Sequence, residues 1–185
     1  MHSTLRIKKN LLSAAILAVL FSAAGISAHA TEKTHVASAP QPKGATPGSL
    51  NMPPALGMIE IPAVGLATRI LEGDNARILA LAVGHIPGTA VPGPSGNVAL
   101  AGHRDTFFRP LRNINKGDEI KLSTTSGTFK YRVVSLRIVL PNAIEVLYQT
   151  QMPTLTLVTC YPFGYRGDAP KRFIVHAEMV AASRN

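Results

Sequence analysis

Three side chains in this sequence could together carry out acyl-transfer chemistry: Cys160, His103 and Arg172. Cys160 is the single cysteine among 185 residues, so it has no partner within the chain for a disulfide. Such a cysteine is either a small buried hydrophobe or a reactive thiol. The thiolate is the nucleophilic form, and a free thiol with a pKa of about 8.5 is mostly protonated at neutral pH. A neighbouring imidazole can take that proton or hold the thiolate as an ion pair. It can then protonate a leaving amine. A guanidinium stays charged throughout and offers fixed donors to a developing oxyanion. The set is sufficient for attack on an amide to give a thioester. Whether an amine or water then resolves the thioester is left open by these three groups.

The elements that would have to position them are strands. Leu155-Thr156-Leu157-Val158-Thr159-Cys160 reads as a buried strand that delivers the thiol at its end, with Pro162 stopping regular pairing. Alternation puts Leu155, Leu157 and Thr159 on one face and Thr156, Val158 and Cys160 on the other. Asn97 to His103 reads as a strand ending in His103, with Val98 and Leu100 opposite Ala99, Ala101 and His103. In a strand from Phe173 to Val180, Phe173 and Val175 oppose Arg172 and Ile174. If the bulky positions fill a barrel, His103, Cys160 and Arg172 share its outer face, provided no strand slips by one residue. The small Ala99 and Ala101 would leave a groove leading to His103. Ala101 in that groove and Thr159 beside the thiol are the candidate substrate contacts.

The remaining elements are short. Residues 58–62 and 67–71 look like two strands joined at Gly65. Asn75 to Val83 reads as a short helix capped by Asp74. Pro87-Gly88 and Pro92-Gly93-Pro94 mark a long turn. A helical turn is expected over Phe107 to Ile114, a hairpin over 119–124 and 128–139, and a short helix capped by Asn142 and running to Tyr148. About eight short strands with sparse helix predict an all-β domain, a closed or half-closed β-barrel, over residues 57–185.

Other polar residues have simpler readings. His85 and His176 are expected to be structural. Asp105 is expected to cap the turn before Phe107. His103-Arg104-Asp105 matches a fragment of the protein-kinase catalytic loop, but no glycine-rich loop or Asp-Phe-Gly accompanies it. No Cys/His spacing suggests zinc, and Glu60, Glu72, Asp74 and Asp118 are too dispersed for a calcium cage, so neither a metal nor a cofactor is expected.

Composition narrows the class. Hydrophobic residues make up 46% and aromatic residues 5%, without tryptophan. That argues for a real core and against a base-stacking surface. The net charge is +9, of which five basic residues against one acidic residue fall in 1–56. The other 14 basic and 9 acidic side chains are scattered, so nucleic-acid binding is not expected. Arg6, Lys8 and Lys9 precede an apolar run from Leu11 to Ile26, followed by Ala28-His29-Ala30. This is the pattern of an export signal over 1–30. It predicts an extracytoplasmic domain, tethered to the membrane if the segment is kept and released if it is cut. Residues 31–56, rich in Pro, Ala, Gly, Ser and Thr, read as a flexible linker. No second apolar run follows, so at most one membrane segment is expected.

The sequence resembles the sortase family of cysteine transpeptidases, and most of all its class D members. Thr156-Leu157-Val158-Thr159-Cys160 matches the family's TLxTC signature, and Arg172 follows twelve residues later in Lys171-Arg172-Phe173-Ile174-Val175. His103 lies in Ala99-Leu100-Ala101-Gly102-His103-Arg104-Asp105. The resemblance covers roughly 57–182. It implies an eight-stranded barrel and catalytic roles for His103, Cys160 and Arg172. It also implies cleavage within an LPxTG-like sorting signal of a client protein, followed by transfer of the acyl group to a cell-envelope amine. A sorting-signal endopeptidase that only hydrolyses, and a non-catalytic envelope-binding barrel, are the alternatives. No lid motif is evident, so pilus polymerisation is not expected.

Overall fold

The computed structural model describes residues 53–184. The export-signal reading of 1–30 and nearly all of the linker reading of 31–56 fall outside them. Among the described residues no helix is long and apolar enough to cross a membrane.

Eight strands form a closed barrel: β1 (Ala55–Ile61), β2 (Leu66–Glu72), β3 (Val83–His85), β4 (Asn97–Ala101), β5 (Glu119–Thr124), β6 (Gly127–Val139), β7 (Thr154–Tyr161) and β8 (Lys171–Ser183). Their order around the barrel is β1-β2-β3-β4-β7-β8-β6-β5. Closure leaves no open sheet edge. The β2–β3 and β4–β7 pairs are parallel, and the rest are antiparallel.

The period-two pattern fills the interior as expected. Ile59, Ile61, Val98, Leu100, Leu155 and Leu157 are all 0–1% exposed and belong to one core cluster, joined there by Val175 and Ala177 of β8. Each buried Ile, Val or Leu side chain contributes about 1.5–3 kcal/mol. The long β6–β8 pairing carries two register shifts, one with its extra residue, Val180, on β8 and one with its extra residue, Val134, on β6. Such bulges sharpen the twist and help a sheet curl closed.

Several local expectations are corrected. The helix, α1, spans only Ala76–Leu81, and its cap is Asn75, whose Oδ1 accepts from the Ile78 amide at 3.1 Å, rather than Asp74. Val83 belongs to β3, a three-residue strand that alternation did not resolve. Strand β4 stops at Ala101, so His103 lies in the turn beyond it. The segment after Asn142 is a 3₁₀ turn over Ile144–Leu147 with no side-chain cap.

The β6–β7 connection is held against the barrel by Asn97, which is 1% exposed. Its Nδ2 donates to the carbonyls of Val146 and Tyr148, and its Oδ1 accepts from the hydroxyls of Thr154 and Thr156. The buried amide thereby has its polar atoms satisfied.

Candidate active site

Strands β4, β7 and β8 are neighbours, and their register places the three candidate residues at one rim. In the parallel β4–β7 pair the sequence offset is constant at 57, from Asn97↔Thr154 to Ala101↔Val158. His103 follows two residues after the end of β4, at the same end of the barrel as Cys160. In the antiparallel β7–β8 pair, Cys160 lies directly opposite Arg172. Cys160 and Arg172 are half-buried and His103 is exposed. All three line one cavity of about 440 Å³.

The turn that carries His103 is built tightly. The Phe108 and Thr106 amides both donate to the His103 carbonyl, at 3.1 and 3.3 Å. The Phe108 ring is fully buried beneath Gly102. A Cβ on Gly102 would come within 2.7 Å of that ring, so the position before His103 must stay free of a side chain. The turn is also fastened to β7. The Gly102 amide donates to the Val158 carbonyl at 3.2 Å, and Thr159 Oγ1 donates to the Gly102 carbonyl at 2.7 Å. Thr159 is 2% exposed, and this bond engages its hydroxyl.

Arg172 is oriented by its own loop. Its Nη1 donates to the carbonyls of Ala169 and Lys171, at 3.1 and 3.0 Å. A second cleft of about 310 Å³ meets the first at His103, Cys160 and Arg172, and Ala101 and Ile86 form part of its wall. Ala99 is fully buried and does not open into a groove. Residues 86–90 pair with its backbone: the Ile86 amide donates to its carbonyl, and Thr89 Oγ1 accepts from its amide.

The other two histidines among the described residues sit away from this rim. His85 is 2% exposed, with Nδ1 2.8 Å from Glu72 Oε2 and Nε2 2.8 Å from the Ala90 carbonyl. His176 is half-buried, with Nδ1 3.4 Å from Thr156 Oγ1. Burial lowers the His176 pKa, Arg137 lowers it further, and Glu178 opposes both. Asp105 does not cap the turn, which backbone bonds close; its carboxylate is 3.5 Å from Arg104 Nε and 70% exposed.

Comparison with known proteins places the fold in a family. The sortase domain family matches residues 59–180. The chain belongs to the sortase family. It is 39% identical over 127 residues to sortase D of Bacillus subtilis, an alignment covering 68% of this chain and 64% of that protein, just under two thirds. It is 29% identical over 158 residues to sortase A of Bacillus anthracis, covering 82% and 73%. Among solved structures it superposes on the Clostridium perfringens sortase D5 transpeptidase with a TM-score of 0.62 at 33% identity, covering 69% of this chain and 79% of that one. Sortases are cysteine transpeptidases, and the eight-stranded barrel is the family's fold.

Two residues of this sortase carry weight that sequence reasoning missed. Asn97 staples the β6–β7 connection, and an Asn opening an otherwise apolar strand is the only signal that could have found it. Arg104 is 7% exposed although charged; its only mark in the sequence is its place directly after His103.

Proposed function

We propose that this sortase cleaves an LPxTG-like sorting signal through a thioester on Cys160 and passes the acyl group to an amine. The observation that supports it most directly is the cavity that Cys160, His103 and Arg172 line together. Cys160 gives its proton to His103, and Sγ bonds to the carbonyl carbon of the substrate amide. Arg172 faces the oxyanion that forms. The C–N bond breaks, with His103 protonating the departing amine. An incoming amine then attacks the thioester, loses its proton to His103 and releases Cys160. Water in place of the amine would give a carboxylic acid instead.

Ala101 gives an extended peptide room in the second cleft. Thr159 serves the substrate through the turn that its hydroxyl holds. The basic and apolar pattern of 1–30 supports export and an extracytoplasmic place of action on envelope proteins.

The test is a sorting peptide incubated with purified enzyme, with and without an added amine, read by mass spectrometry. Wild type should yield a product carrying the amine, and Cys160→Ala should yield none while remaining folded. A Cys160→Ala variant as active as wild type would sink the mechanism. A product that never carries the amine would identify a hydrolase.

A further inference from the structure

A buried arginine is uncommon, and this fold retains one beside the reacting groups. Arg104 Nη2 donates to two backbone carbonyls, those of Tyr165 at 2.8 Å and Gly167 at 2.9 Å. Both lie in the 162–170 loop, which leads from the Cys160 strand to the Arg172 strand. Its Nε and Nη1 are buried without a hydrogen-bond partner. The charge is paired with Asp105, whose Oδ1 is 3.5 Å from Nε, and its Cζ lies 5.9 Å from the centroid of the Tyr165 ring. Packing alone would be better served by an apolar side chain, because unpaired buried donors are costly.

What the charge does achieve is a connection. Arg104 adjoins His103, and the loop it holds is held again two residues further on, where Arg172 Nη1 donates to the Ala169 carbonyl. Residues 164–168 are otherwise exposed. Two guanidinium groups thus grip one loop, one from the imidazole's side of the cavity and one from the strand that faces the thiol. We propose that Arg104 is a positioning residue for the reaction: it locks the 162–170 loop to the His103 turn, and so fixes the imidazole relative to Cys160 and Arg172. The catalytic part of this inference rests on the transpeptidase reading above; the clamp itself does not.

The test compares wild type, Arg104→Met and Arg104→Lys. Three quantities are read: kcat and KM for amine transfer per mole of titratable thiol, the Cys160 alkylation rate at one neutral pH, and hydrogen exchange of the 163–169 amides. Arg104→Met should lower kcat about 100-fold, the loss that an ångström-scale misplacement brings, with KM little changed. Its loop should exchange faster and its thiol alkylate at an altered rate. Arg104→Lys keeps the charge without the planar fork, and should fall between. A merely structural role would lower the unfolding midpoint and leave kcat per thiol at the wild-type level, and that result would overturn the proposal. If Arg104→Met does not fold, Arg104→Lys decides: wild-type kcat together with wild-type loop exchange would equally overturn it. If wild type shows no Cys160-dependent transfer, the transpeptidase reading falls, while alkylation and exchange still decide whether Arg104 clamps the loop.

Discussion

Cys160 and Arg172 are direct cross-strand partners in the antiparallel β7–β8 ladder. Opposed residues on one face have Cβ atoms about 4.5–5.5 Å apart. Backbone pairing, rather than a loop conformation, therefore sets the thiol and the guanidinium side by side. The Ala169 and Lys171 carbonyls then aim the guanidinium. A site built on paired strands is held more precisely than one built on loops alone.

Removing the guanidinium should therefore cost chemistry more than folding. Arg172→Ala is expected to lower kcat/KM for sorting-peptide cleavage by about 10²–10³-fold, the usual effect of deleting an oxyanion donor. Arg172→Lys should recover part of it, since the charge returns without the fork. Steady-state kinetics alongside circular dichroism checks this. Equal losses of activity and of folded signal would assign Arg172 to stability instead.

Thr159 offers a different balance. Its hydroxyl donates to the carbonyl of buried Gly102, the residue before His103. Thr159→Val keeps the shape and removes the donor, leaving that carbonyl unsatisfied. The expected destabilisation is about 1–3 kcal/mol, with a fall in activity below the melting temperature because the His103 turn loses its tie to β7. Thr159→Ser should retain activity. Urea unfolding and kinetics on the pair of variants measure both effects, and an active, fully stable Thr159→Val would remove Thr159 from the site's support.

The rim was legible in the sequence because alternation is a local property. Leu155, Leu157, Val98 and Leu100 announce the inward face, and Cys160 follows by parity. The partners were less legible. The β4–β7 pairing spans a separation of 57 residues, and no short-range pattern encodes it. Strand β3 escaped notice because its three residues, Val83-Gly84-His85, are all buried and so show no alternation. Ala99 looked like part of a groove, but it is fully buried and its backbone bonds to Ile86 and Thr89, contacts that depend on where a loop lands. Arg104 was illegible for the opposite reason: composition rules place charge on the surface, and only tertiary contact with Tyr165 and Gly167 draws it inside.

His176 gives a prediction about pH. It stands opposite Thr156 in the β7–β8 ladder, between the core residues Val175 and Ala177. Burial is the larger cause of its lowered pKa, Arg137 adds to it, and Glu178 partly offsets both. The folded state therefore binds a proton less readily than the unfolded chain, whose histidine titrates near about 6.5. Between the lowered folded pKa and that value the unfolded state holds more protons, so stability rises with pH. On acidification, the loss begins as pH falls through about 6.5 and levels off below the folded pKa. Replacing His176 with Gln removes this contribution while keeping a polar side chain. Urea midpoints for wild type and His176→Gln, measured across this range, should diverge, with wild type losing relative stability as the pH drops. A wild type that gained relative stability on acidification would mean that the folded barrel holds the protonated imidazole, with Glu178 outweighing burial.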